Sequence, residues 1–504
     1  MRLWGAARAF GHGLSASALT LVFTATALGA QPSAGPRTNP LPGSASTPAI
    51  ATLRIGVSEY AERRAAVAAS MPDGVILALG AHEPREDYVA FYQAPHFQYL
   101  TGVREPDAAL VGVKSGGQLT WTLFVPPRDP AREVWTGRRV GPQAAPSEWG
   151  LPGRPAAELQ AVLDSLLATP RPLAVIADLG TAARPTADDQ IVARLKATHP
   201  GVTVTNVTAT VTQRRGTKSD AELALIKRAT ELTVQAHREA ARAVRANGFE
   251  YEVQADLERV FRRGGADRPS FASIVGSGPN ATTLHYNAND RQMRAGEMVV
   301  IDIGASFNGY AADMTRAYPV NGTFTPAQRA IYQLVRDAQR AGERQATPGT
   351  PMRRMNDSAS AVLAAGLTRL GLIDAPDATY DCGPEGKNSC SQLSLFYMHG
   401  LSHGIGLEVH DPDQYDFGAR TIQVGSVFTI EPGLYVRENL LEILPKTARN
   451  AEWIARRGAT VARYRNIGVR IEDDYLVTPT GLDWLTKGPR EPAEIEQAMK
   501  RLRM

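Results

Sequence analysis

Cysteine is almost missing from this 504-residue chain, which has only Cys382 and Cys390. Two thiols exclude a cysteine-dense disulfide scaffold and are too few for a four-ligand structural zinc site. Long apolar runs are equally scarce. Only LSASALTLVFTATAL, residues 14–28, stands out, and it is shorter than the ~20 apolar residues that a spanning helix needs. There is no long basic block and the net charge is only +4, so nothing marks a nucleic-acid partner. Histidine is sparse too, at nine residues, and three of them fall in one short stretch, HGLSHGIGLEVHD (399–411).

The N-terminus has the order of a secretory signal. Arg2 and Arg8 precede the apolar run, and Ala27 and Gly29 fit a small-x-small cleavage site before Ala30. A signal peptide over residues 1–30 is expected, and no cysteine follows it to carry a lipid. The mature protein is then exported, periplasmic or secreted, with no stable membrane insertion. Residues 31–52 are rich in Pro, Ser, Gly and Ala with almost no charge, and they read as a disordered lead-in.

A chain of this length exceeds what one core usually supports, so two domains are expected. Over residues 53–211, apolar runs such as GVILALG (74–80), ALVGVK (109–114), WTLFVPP (121–127), LAVIADLG (173–180) and VTVTNVT (202–208) read as strands. They alternate with helical patterns at 62–71 and 156–169, which predicts an α/β domain. Gly216 then breaks the pattern, and Ser219 with Glu222 forms a capping box ahead of a long amphipathic helix. The junction is placed at about 211–218, with a second domain over 212–490. The sequence YDCGPEGKNSC is a loop by its Gly, Pro, Asn and Ser content, and export favours a Cys382–Cys390 disulfide over free thiols.

His399 and His403 have the spacing of a helical zinc motif, but Gly400, Gly404 and Gly406 make a helix costly here. Their meaning depends on acidic partners. In EMVVIDIGASFNGYAADMTRAY (297–318), the Asn308-Gly309 turn joins two strands. A two-residue loop pairs Phe307 with Tyr310 and sets Gly304 opposite Asp313, so Asp302 and Asp313 share one face. With no side chain at Gly304, space is expected where the carboxylates converge. Asp302 follows the apolar run MVVI, and a buried carboxylate needs a partner or a metal. Glu431 ends an apolar strand before Pro432-Gly433, and Glu472 lies two residues beyond Arg470 on another. Four acids in apolar settings with a histidine make an anionic cluster that only cations stabilise. Such a set, without thiolate, suits Mn²⁺, with Co²⁺ or Zn²⁺ as alternatives, and shared carboxylates point to two divalent ions.

These residues resemble the pita-bread metallopeptidases, a family that includes aminopeptidase P, prolidase, methionine aminopeptidase and the metal-free creatinase. The family's Asp-Asp-His-Glu-Glu ligand order falls on Asp302, Asp313, His403, Glu431 and Glu472. HYNAND (285–290), MHGLSHGIGLEVHD (398–411), TIEPGLY (429–435) and GVRIEDDYLVT (468–478) are most similar to the aminopeptidase P branch. FYQAPHFQYLTGVREPDAALVG (91–112) resembles that branch's N-terminal domain. The resemblance implies a creatinase-like α/β N-terminal domain followed by an α+β pita-bread catalytic domain.

By the same resemblance, Asp313 and Glu472 bridge two metals, Asp302 completes one shell, and His403 and Glu431 complete the other. His285 and His410 line the pocket and contact the substrate carbonyl or the oxyanion, His399 sits beside the proline pocket, and Glu431 carries the proton. Arg470 pairs with the metal-binding carboxylates. The implied substrates are peptides with proline at the second position, cleaved before the proline, and a homo-oligomer, dimer or larger, is also expected. A prolidase-type dipeptidase is the main alternative, in which Arg420 could hold a substrate carboxylate; an inactive binding scaffold is the third. The Cys382–Cys390 loop and the connection over 439–465 depart from the family pattern, and either could alter access to the pocket.

Overall fold

The computed structural model describes residues 53–86, 88–412 and 421–501. The expected signal peptide and lead-in, and Arg420, lie outside the described residues. Among those described, no helix is long and apolar enough to cross a membrane.

The first half is built on six strands: β1 (Gly74–Leu79), β2 (Ala109–Ser115), β3 (Gln118–Val125), β4 (Gly153–Pro155), β5 (Leu173–Ile176) and β6 (Val204–Asn206). They form one mixed sheet in the order β4-β3-β2-β1-β5-β6. Strands β1 to β3 pair antiparallel, while β4, β5 and β6 join in parallel. Strand β1 is buried throughout, because both faces of the sheet are covered. Val75, Leu77 and Leu79 face helices Leu159–Leu167 and Ala187–Thr198, whereas Ile76 and Ala78 belong to the core shared with the second half. Burial on both faces explains the unbroken apolar run GVILAL, since one solvated face would have produced alternation. The expected helix at 62–71 begins earlier, at Val57, and the one at 156–169 opens with a 3₁₀ turn.

A helix over Thr208–Arg215 leads into the junction. Ser219 then caps helix Asp220–Ala243: its hydroxyl accepts the Glu222 N–H while the Glu222 carboxylate accepts the Ser219 N–H. Helix Glu250–Arg263 follows, giving the two long helices read from the sequence.

The second half continues with β7 (Arg268–Pro269), β8 (Ile274–Ser277), β9 (Met298–Ile303), β10 (Ala305–Phe307), β11 (Tyr310–Ala311) and β12 (Met314–Pro319). A hairpin of β13 (Thr379–Cys382) and β14 (Asn388–Ser391) precedes β15 (Val427–Ile430), β16 (Gly433–Val436), β17 (Ile467–Arg470), β18 (Asp473–Thr478) and β19 (Gly481–Trp484). These strands form small antiparallel sheets, among them β12-β9-β8, β15-β18-β19 and β16-β17. Helices Asp220–Ala243 and Pro326–Gln345 contribute to the core beneath them.

The two departures from the family pattern meet each other. Cys382 and Cys390 are disulfide-bonded across the β13–β14 hairpin, so what read as a loop is a two-stranded ribbon with an irregular tip. That ribbon docks on helix Ala448–Tyr464, where Asn450 donates to the Asp381 carbonyl at 2.9 Å and accepts the Asp381 N–H at 3.0 Å.

Candidate metal centre

The Asn308-Gly309 turn sets the geometry of the first two acids. Both residues have positive φ, 50° and 86°, as a type I′ hairpin turn requires. Phe307 pairs with Tyr310, and Asp302 pairs with Thr315 in the same unbroken register. Asp302, at the end of the buried β9, and Asp313, just before β12, both line one cavity of about 520 Å³. The space expected beside Gly304 does not exist. A Cβ there would collide with the Ala312 carbonyl oxygen and the Ser270 hydroxyl. Glycine is needed because two strands and a serine converge, leaving no void for a metal.

The other acids reach the cavity from breaks between strands. Glu431 lies between β15 and β16, and Glu472 between β17 and β18, and both line it. His403 is brought in by its loop, with its N–H donating to Thr429 Oγ1 at 3.1 Å. Its Nδ1 lies 3.1 Å from the Gly404 carbonyl, which leaves Nε2 for the cavity. Nε2 is 3.2 Å from Glu431 and 3.7 Å from both Asp313 and Glu472. Asp313, His403 and Glu472 present ligand atoms within 4.8 Å of one another.

The donor set fits divalent cations. Asp302 Oδ1 and Asp313 Oδ1 are buried without a hydrogen-bond partner, an arrangement that costs free energy unless a cation completes it. Burial, then Glu472 and Asp302, push Asp313 well above the usual carboxylate range. Burial, with Glu431 and Asp302, pushes Glu472 up to about 7. Burial alone would lower His403, but its contacts with Glu431 and Glu472 raise it instead. Positive charge is what the cluster lacks.

The remaining sequence-predicted residues are also assembled here: His285, His399, His410 and Arg470 line the same cavity. Arg470 is buried and bonds Asp302 directly, and its Nη1 donates to the Tyr435 hydroxyl at 2.8 Å. That hydroxyl lies 2.8 Å from His399 Nε2. On the other side of the ring, His399 Nδ1 lies 2.8 Å from the Gly400 carbonyl, an acceptor that favours a hydrogen on Nδ1. Burial holds His399 below its ordinary value, which favours the neutral ring. The His410 ring lies beside that of His403, tilted by 34° with centroids 4.1 Å apart, and its partial burial, with His403 nearby, lowers it too. His285 and His410 are exposed at the cavity wall.

Of the clustered glycines, Gly406 lies against the Asp411 carboxylate, whereas Gly400 faces open space. Neither the disulfide ribbon nor the 439–465 connection lines this cavity, so the expected effect on access does not follow from their positions.

Several contributors were not read from the sequence. Thr315 Oγ1 donates to Glu472 Oε2 at 2.6 Å, and Thr429 supports both His403 and Glu431. Each sits two residues from an acid, the period that keeps strand side chains on one face, and that signal could have found them. Asp474, whose carboxylate accepts the Asp313 N–H at 3.0 Å, stands two residues beyond Glu472 and carried the same signal; Tyr435 did not.

Comparison with known proteins agrees with this geometry. Residues 224–479 match the model of metallopeptidase family M24, and residues 60–175 match the aminopeptidase P N-terminal domain. The Xaa-Pro aminopeptidase of Escherichia coli is 35% identical, covering 88% of this chain and 98% of its own. The human Xaa-Pro dipeptidase is 29% identical, over 84% and 89%. The structure of proline aminopeptidase P II from Yersinia pestis superposes with a TM-score of 0.76 at 33% identity, covering 89% of this chain and all of that one.

Proposed function

Because the chain belongs to the aminopeptidase P branch of metallopeptidase family M24, a family of metal-dependent exopeptidases, we propose that it is an exported enzyme using two divalent ions, Mn²⁺ foremost, to release the residue before an N-terminal proline. The observation that carries the reading is the convergence of four carboxylates and His403 on one cavity, with buried Asp302 and Asp313 oxygens lacking partners. Asp302, Asp313, His403, Glu431 and Glu472 would hold the ions. Bound there, the ions supply Lewis-acid polarisation of the scissile carbonyl and activation of water.

The chain's own groups do the rest. Glu431 takes the proton from the attacking water and returns it to the proline nitrogen as the amide C–N bond breaks. That nitrogen carries no hydrogen in the substrate, so a delivered proton is what makes it a leaving amine. His410 donates a hydrogen bond to the developing oxyanion; its lowered pKa keeps the imidazole neutral, so it contributes a dipole without another full charge. His285, in the turn that follows the 3₁₀ helix Gly278–Thr282, lines the same cavity. Arg470 fixes the Asp302 carboxylate, and Tyr435 passes that constraint to His399 beside the pocket.

Substrate length separates this reading from a dipeptidase, to which the likeness to the human Xaa-Pro dipeptidase gives some support. A dipeptidase holds the substrate carboxylate with a cation, and extending the peptide loses that charge-assisted bond. The loss costs about 1.5–3 kcal/mol, or roughly ten- to a hundredfold in rate. The Mn²⁺-loaded protein should cleave Xaa-Pro-Yaa tripeptides at least as well as Xaa-Pro dipeptides. Strong preference for the dipeptide, reversed by Arg420→Ala, would assign it to the prolidase type. Export is tested separately by N-terminal sequencing, with Ala30 or Gln31 expected first.

A further inference from the structure

The loop from His403 to Asp411 is closed by a bridge between Gly404 and Asp411, whose N–H donates to the Gly404 carbonyl at 3.0 Å. The bridge makes residues 403 and 410 diagonal neighbours, and their ring centroids lie 4.1 Å apart. What holds the far end of the loop comes from elsewhere. The Asp411 carboxylate is buried; one oxygen accepts from Arg215 at 2.5 Å and the other from Lys218 Nζ at 2.9 Å. Arg215 also reaches Glu408 at 2.6 Å, within the same loop. Both cations are buried, so the pairing is shielded from water and salt. Gly406 leaves the room that the carboxylate occupies.

Arg215 ends helix Thr208–Arg215, and Lys218 stands just before helix Asp220–Ala243. Both lie between the two matched family regions, in the junction joining the halves of the molecule. A surface ion pair would be incidental here. A buried carboxylate with two buried cations is different, because removing one partner leaves an uncompensated charge that the loop must move to relieve.

We propose that Asp411, clamped by Arg215 and Lys218, is a positioning residue that holds the His410 imidazole against His403 for the reaction. The junction thus takes part in building the site on the catalytic half. The inference rests on the function proposed above, in which His410 supports the oxyanion.

The test uses the full-length Mn²⁺-loaded enzyme carrying Asp411→Asn or Arg215→Lys, each alone and combined with His410→Ala. Bound metal per protein, kcat and KM on an Xaa-Pro-Yaa tripeptide, and crystal structures are measured. Metal content and KM should stay near wild type, while kcat falls roughly tenfold or more, as for a misplaced oxyanion donor. In the His410→Ala background that fall should shrink to within about twofold, since two residues acting through one group do not add. An undiminished fall in that background, or a fall that tracks lost metal, would assign Asp411 a purely structural role. Arg215→Lys keeps the charge and decides the matter if Asp411→Asn does not fold. If the wild type cleaves no Xaa-Pro peptide, the function reading fails separately. The crystal structures then judge the clamp: a displaced His410 ring supports it, and a ring pair unmoved from 4.1 Å in both variants overturns it.

Discussion

Gly304→Ala is a one-carbon change at the point where the hairpin carrying Asp302 and Asp313 bends. The new Cβ would fall inside the Ala312 carbonyl oxygen and the Ser270 hydroxyl, and the first of these is backbone that cannot rotate away. Relief requires separating the strands. Overpacking of this kind costs about 1–3 kcal/mol. Separation also strains the Ser270 Oγ–Ala312 carbonyl bond at 2.9 Å and the Ser270 N–H–Gly304 carbonyl bond at 2.8 Å, each worth about 1 kcal/mol net. With both bonds lost, these give a destabilisation of about 3–5 kcal/mol. Asp313 follows Ala312 directly, and its N–H is anchored to Asp474, so its carboxylate must shift. Metal affinity should fall roughly ten- to a hundredfold, as when a supporting partner is lost. Urea unfolding of metal-free protein reads the first effect, and metal titration reads the second. Gly400→Ala is the control, because a Cβ there meets open space, and it should leave stability unchanged. A Gly304→Ala protein with wild-type unfolding and wild-type metal affinity would refute the close-approach account.

Three further outcomes are expected. Chelation should abolish hydrolysis and Mn²⁺ or Co²⁺ should restore it; full turnover in extensively chelated protein would contradict a metal mechanism. His403→Ala should reduce bound metal, whereas His410→Ala should keep it and slow turnover by roughly 10²–10³, so equal metal loss in both would erase the division of roles. In the first half, burial holds His96 down to about 4 while it hydrogen-bonds the Leu79 carbonyl. The unfolded chain takes up that proton near pH 6.5, so this group's contribution is present above that value and lost as pH falls from about 6.5 through about 4. Between pH 7 and 5 the wild type should lose about 2 kcal/mol more unfolding free energy than His96→Gln; equal losses would show that His96 titrates normally in the fold.

Turn chemistry and period determined what was legible in the sequence. Asn308-Gly309 fixed the hairpin register, and that register put Asp302 and Asp313 on one wall of the cavity. Ser219 and Glu222 announced their helix because a capping box is satisfied within four residues. These signals survive in one dimension because the interactions behind them are short-range. Tertiary structure alone decided the rest. Arg470 meets Asp302 across 168 positions, Tyr435 links that pair to His399, and the junction cations find Asp411 more than 190 residues away. The disulfide ribbon turned toward helix Ala448–Tyr464 and away from the cavity, and the space beside Gly304 was filled by backbone. No periodicity encodes such contacts; they follow from how separately formed elements pack, and from the requirement that every buried charge find a partner at the place where packing leaves it.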